Sequence, residues 1–191
     1  VSNGNTHLLP GGYQRAIKDF ERGKLVENFT YSDWAWKNDY VSRRIDLVML
    51  NKSVKGAKLV TADLVSSDGN VISKDNVTAT YLDKINTLSY DYPGIDYDVF
   101  DIISRKTEKD LTYNEIHEAW VSIFIPKDAK AGTYTTTVSV VSDGKTIAKF
   151  NYSIEVLDLT LPDPTEFANE AKAFPNTVLT TDGTMKTIKF Q

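Results

Sequence analysis

The segment 90–101, YDYPGIDYDVFD, sets four carboxylates (Asp91, Asp96, Asp98, Asp101) among three tyrosines (Tyr90, Tyr92, Tyr97). Each group has its own chemistry. Oxygen ligands crowded in one loop can hold calcium, but the spacing is not that of a helix-loop-helix calcium loop. The acids therefore read as solvated turn residues, and no metal site is expected. Aromatic rings instead stack on the apolar faces of sugars. Trp34 and Trp36, two apart in WAW, share a strand face and add two indoles to this set. The candidate ligand-binding residues are accordingly Trp34, Trp36, Tyr90, Tyr92 and Tyr97. The structural alternative has the tryptophans capping the core and the tyrosines pinning the long connection 87–114, which exceeds the usual loop length.

Catalytic chemistry is not visible. His7 lies in a terminal tail, and His117 opens a strand on its apolar face, where a hydrogen-bonded structural histidine is the ordinary case. Serines are plentiful, yet no strained nucleophile turn or glycine-built oxyanion hole accompanies them. The absence of cysteine removes disulfides, thiolate metal ligands and a cysteine nucleophile together. It also tilts the chain toward export, since cytosolic proteins usually keep some thiols. No cofactor is implied.

Composition narrows the partners. The 191 residues carry a formal net charge of -4, and the pI is about 5.2, so a phosphate-binding surface for nucleic acid is not expected. No apolar run reaches the roughly 18 residues that span a bilayer. The opening VSNGNTHLLPGG has neither an initiator methionine nor a signal-peptide pattern and reads as the interior of a longer protein. Sequons stand at Asn28, Asn51, Asn76 and Asn151; if the source is bacterial they signify nothing, since Asn and Thr are common at strand ends. The pair Arg43-Arg44 reads as one exposed and one edge charge.

The elements that must position these residues are strands. VSRRIDLVML places Val41, Ile45, Leu47 and Met49 on one face, and NVTATYLDKI places Val77, Ala79, Tyr81 and Ile85 on another. Asp68-Gly69 marks a hairpin after AKLVTADLV, and Asp143-Gly144 marks one between TYTTTVSVV and TIAKFNYSIEV. HEAWVSIFI is apolar on both faces and belongs in the middle of a sheet. Pro126 cannot donate to a ladder and Gly132 permits a sharp bend, so PKDAKAG forms a corner between sheets. The fold expected is all-β, an antiparallel two-sheet sandwich, immunoglobulin-like or jelly-roll-like, of about seven to nine strands. Val121, Ile123, Val138, Val140, Phe150 and Ile154 form its core. Short helices are expected over 12–23 and over 164–174, the latter capped by Thr165. Residues 1–24 form an N-terminal tail, 25–163 the sandwich, and 164–191 a linker or the start of a next domain.

WVSIFIPKDAKAGTYTTTVSV, followed by a hairpin and FNYSIEVLDLTLPDP, resembles the N-terminal β-sandwich of bacterial glycosidases related to glycoside hydrolase family 123. WAWKNDYVSRRIDLVML and AKLVTADLVSSDGNVISKDNVTATYLDKI extend the resemblance over roughly 34–164. It implies a parent enzyme that removes terminal N-acetylgalactosamine with two adjacent acids of a (β/α)8 barrel. No residue here corresponds to either acid. Three readings follow: a non-catalytic accessory sandwich that packs on and orients such a barrel in a secreted or cell-surface protein, a carbohydrate-binding module, or a structural spacer. The first leads, and the fragment itself is expected not to be an enzyme.

Overall fold

The computed structural model describes residues 28–88 and 96–163, with the short strand segments 2–3, 177–179 and 185–187. The strands are β1 (Ser2–Asn3), β2 (Asn28–Lys37), β3 (Asp39–Val48), β4 (Val54–Val60), β5 (Leu64–Ser66), β6 (Val71–Ile72), β7 (Val77–Leu88), β8 (Asp96–Ile103), β9 (Glu108–Leu111), β10 (Ile116–Ile125), β11 (Gly132–Ser142), β12 (Lys145–Thr160), β13 (Thr177–Leu179) and β14 (Met185–Thr187). One short 3-10 turn, Lys74–Asn76, precedes β7. The chain divides into Val1–Leu161 and Pro162–Gln191. In the second unit β13 and β14 pair antiparallel.

The first unit is a two-sheet sandwich. One sheet runs β1-β3-β10-β7-β8, and the other runs β2-β12-β11-β4-β9, with β5 beside β11 and β6 beside β5. Every pairing is antiparallel except that of β2 with β12, which is parallel. The trio β3-β10-β7 facing β4-β11-β12 is the immunoglobulin-like arrangement of the two considered. The two sheets hold twelve described strands rather than seven to nine. The excess comes from the break of β4 and β5 at 61–63 and from β8 and β9 within 87–114.

Local sequence explains the main turns. β10 lies between β3 and β7, buried on both faces over most of its length. Its end at Pro126 starts the corner that carries the chain into the opposite sheet, where Ala129 N–H donates to Pro126 O at 3.1 Å. Gly132 then takes φ +144°, a conformation unfavourable for a residue with a Cβ. The β11–β12 hairpin turns on Asp143 and Gly144, both at positive φ. Asn38, at φ 63°, moves the chain from β2 to β3. Its backbone N–H donates to Ile125 O at 2.7 Å, and its amide Nδ2 donates to Leu161 O at 2.9 Å.

All six expected core residues are buried, together with Tyr81, Leu64, Leu111 and Tyr134. Three details differ from the sequence reading. Val77, Ala79 and Tyr81 on β7 are buried as expected while Ile85 is exposed, beyond the point where β8 carries one extra residue, Asp101, opposite Asp83 and Lys84. The 87–114 connection is largely two strands; β8 buries Phe100 while Ile102 and Ile103 stay exposed, so it shows no clean alternation. Arg43 and Arg44 are both partly buried and ion-paired, to Asp33 and Glu118, instead of being simple surface charges. The helices expected over 12–23 and 164–174 lie outside the described residues.

Candidate functional site

The aromatic residues were the first candidates, and β2 places the two tryptophans. Tyr31, Asp33 and Ala35 face inward, so Trp34 and Trp36 face outward by strand alternation. Trp34 is 57% exposed; Trp36 is partly buried. Trp34 stands opposite Glu155 on β12, which stands opposite Thr133 on β11. In the next inward-facing pair of rows Tyr31 donates to Asp33 Oδ2 at 2.6 Å, and Arg43 Nη2 donates to the same oxygen at 3.1 Å. The guanidinium lies 4.2 Å from the Tyr31 ring centroid. Asp33 Oδ1 accepts from Trp34 N–H at 2.9 Å, so this inner cluster helps set the backbone that presents the indole.

Of the three tyrosines, only the backbone of Tyr97 is described. β8, which carries the backbone of Tyr97, is the last strand of the opposite sheet, while β2 is the first strand of its own. Tyr90, Tyr92 and the Tyr97 side chain lie outside the described residues, as do Asp91 and His7. Asp98 accepts from Asn86 Nδ2 at 3.3 Å, and Asp101 acts electrostatically on Arg44. These two acids sit on a strand, not in a loop. Among the described residues no three acids or histidines converge on a point that could hold a metal.

One cross-strand pair of acids was not foreseen. Asp46 on β3 and Glu118 on β10 are directly opposite each other, on the face of their sheet turned away from the core. Both are 1% exposed. The Arg44 guanidinium bonds Glu118 Oε2, and its pKa is raised chiefly by that bond. Two carboxylates sealed from solvent cannot flank a substrate in the way glycoside hydrolysis requires.

His117 is structural, as its place on the apolar face implied. Its Nε2 accepts from Thr112 N–H at 2.8 Å, which requires the proton on Nδ1 in the neutral ring. Burial holds its pKa below the ordinary value, opposed by the Thr112 carbonyl oxygen, 3.4 Å from Nε2, and Glu115, and aided by Lys109 and Lys84. The unfolded chain therefore takes up the proton first as pH falls through about 6.5. Stability present above that pH is lost below it, toward the depressed folded-state value. Denaturation midpoints of the wild type are expected to drop between pH 7 and pH 5.5, and His117→Gln, which keeps an acceptor, should flatten that slope. Equal slopes in the two proteins would refute this assignment.

A concave site lies at the corner. Residues 70–73 and Asn76 form one wall and Pro126, Asp128, Ala129 and Lys130 the other, around a cleft of about 250 Å³ that reaches Tyr134. The sequence marked the 126–132 wall as a corner and a turn at Asp68-Gly69 just ahead of the other, but their apposition depends on β10 and β11 lying in different sheets.

The glycoside hydrolase 123 N-terminal domain family matches residues 14–142. No curated protein matches the chain. A solved family 123 glycoside hydrolase from Clostridium perfringens, described for glycolipid glycan hydrolysis, is similar at 29% identity and a TM-score of 0.68. That match covers 78% of this chain and 26% of the other, so the chain spans about a quarter of its relative. A PapD-like domain of human CEP192 aligns at 12% identity and TM-score 0.38, covering 69% of this chain and 82% of that one. The N-terminal domain of PorA aligns at 12% and 0.32, covering 71% and 92%.

Proposed function

Because the chain belongs to the glycoside hydrolase 123 N-terminal domain family, we propose that it is the non-catalytic accessory sandwich of a larger secreted or cell-surface bacterial glycosidase, packing against and orienting a catalytic barrel. The observation that carries this reading is the coverage: the sandwich aligns with only 26% of a much longer hydrolase. The end of β12 supports it. Leu161 N–H donates to Lys37 O at 2.8 Å where the chain leaves the sandwich. Trp34, Tyr40 and Leu159, on the strand ends meeting there, are large exposed apolar side chains suited to a docking face.

The chemistry agrees with a role without turnover. Hydrolysis needs an acid and a second group held across the substrate, and the opposed acids Asp46 and Glu118 are buried. Purified 1–191 is expected not to hydrolyse a chromogenic N-acetylgalactosaminide, whereas the parent enzyme should, with reduced activity or thermal stability when this domain is deleted. Turnover by 1–191 alone, or a parent reading frame without a hydrolase region, would overturn the reading. The exposure of Trp34 favours a second one, a carbohydrate-binding module, in which that indole stacks on a sugar ring.

A further inference from the structure

We propose that the cleft between residues 70–76 and the 126–132 corner binds a single neutral, hydroxyl-rich ring, a pyranose unit of a glycan. Its volume of about 250 Å³ lies just below the roughly 300–1,000 Å³ of ordinary small-molecule pockets, which fits one ring rather than a longer ligand. The side chains of Asn70, Asp128 and Lys130 make no hydrogen bond or ion pair among the described residues. They are thus available to a ligand.

The chemistry of these groups selects the class. Asp128 only accepts, Lys130 only donates, and Asn70 does both; a sugar hydroxyl likewise does both and can satisfy each in turn. One acid beside one base leaves no net charge for a simple ion: an anion meets Asp128 and a cation meets Lys130. Val71, exposed at the edge of the cleft, offers an apolar surface to the C–H side of a ring.

The walls are built in advance. On one side Ser73 Oγ accepts from Asp75 N–H at 3.2 Å, Asn76 N–H donates to Ser73 O at 3.0 Å, and Asn70 N–H donates to Ser66 Oγ at 3.0 Å. On the other, Tyr134 donates to Lys130 O at 3.0 Å and ties the corner to β11. Little ordering is required on binding, though a ligand of one ring in an open cleft still binds in the millimolar range.

This inference does not depend on a catalytic barrel, so 1–191 tests it alone. In a ¹⁵N NMR titration with galactose, glucose and N-acetylgalactosamine, saturable shifts are expected at the amides of 70–76 and 127–130. Asp128→Ala and Asn70→Ala should each weaken binding about tenfold, the usual scale for losing a bond to a charged or desolvated group, while Ile102→Ala, on β8 away from the cleft, leaves it unchanged. The variants should keep the wild-type spectrum elsewhere, since neither side chain holds the fold. The proposal fails if no sugar gives saturable shifts, if shifts centre on Trp34 and vanish in Trp34→Ala, or if glycine and acetate reproduce them.

Discussion

Ile123→Asp is expected to abolish folding at room temperature. Ile123 is fully buried on β10, and its cross-strand neighbours on the same face are Val41 and Val77. A carboxylate there has only apolar side chains opposite it. Burying an unpaired charge costs several kcal/mol, which matches most of the roughly 5–15 kcal/mol that holds a domain folded. Val121→Asp should be milder, because its cross-strand neighbour is Arg43, whose buried Nε makes no hydrogen bond among the described residues and can donate to the new carboxylate. Circular dichroism and urea titration would rank the two. Equal losses, or a milder effect at 123, would mean that Arg43 does not reach position 121.

The second large effect lies on the other face of the same strand. Arg44→Met should cost on the order of 3 kcal/mol, because it leaves the buried Glu118 carboxylate without its guanidinium, and breaking one partner of a buried pair is costly. The figure is placed at the low end because the Arg44 side chain is itself 23% exposed. The double variant Arg44→Met/Glu118→Gln should recover part of the loss, since it removes the Glu118 charge and its repulsion with the buried Asp46 opposite, which keeps its own. Arg44→Lys should fall between, as an ammonium replaces a guanidinium fork with a point charge. If the double variant is no more stable than the single one, the pair contributes through packing rather than charge.

Much of the architecture was legible because strand alternation is a local property. Val138, Val140, Phe150 and Ile154 alternate in sequence and are buried in the structure. The Asp143-Gly144 turn was likewise readable, since the positive φ angles needed there are rare in residues with a Cβ. β8 was missed for the opposite reason. One extra residue, Asp101, between the partners of Asp83 and Lys84 interrupts its alternation, so Phe100 is buried while Ile102, two residues on, is exposed. Ile85 keeps the parity of Val77, Ala79 and Tyr81 but is exposed, and nothing in NVTATYLDKI announces where burial along β7 ends.

The all-β class, the central place of β10, the sheet-switching corner at Pro126–Gly132, the buried role of His117 and the family resemblance could all be read from the residues. Each depends on residue type and near-neighbour spacing. Tertiary structure alone decided which distant residues meet. It set Trp34 and Tyr97 in opposite sheets, placed Asp46 across from Glu118, and brought Asn70 to face Asp128 and Lys130 across a cleft. Those pairings rest on long-range strand register, where one residue of shift turns every side chain to the other face. Local composition carries no record of that shift, and so none of the three could be read from the chain.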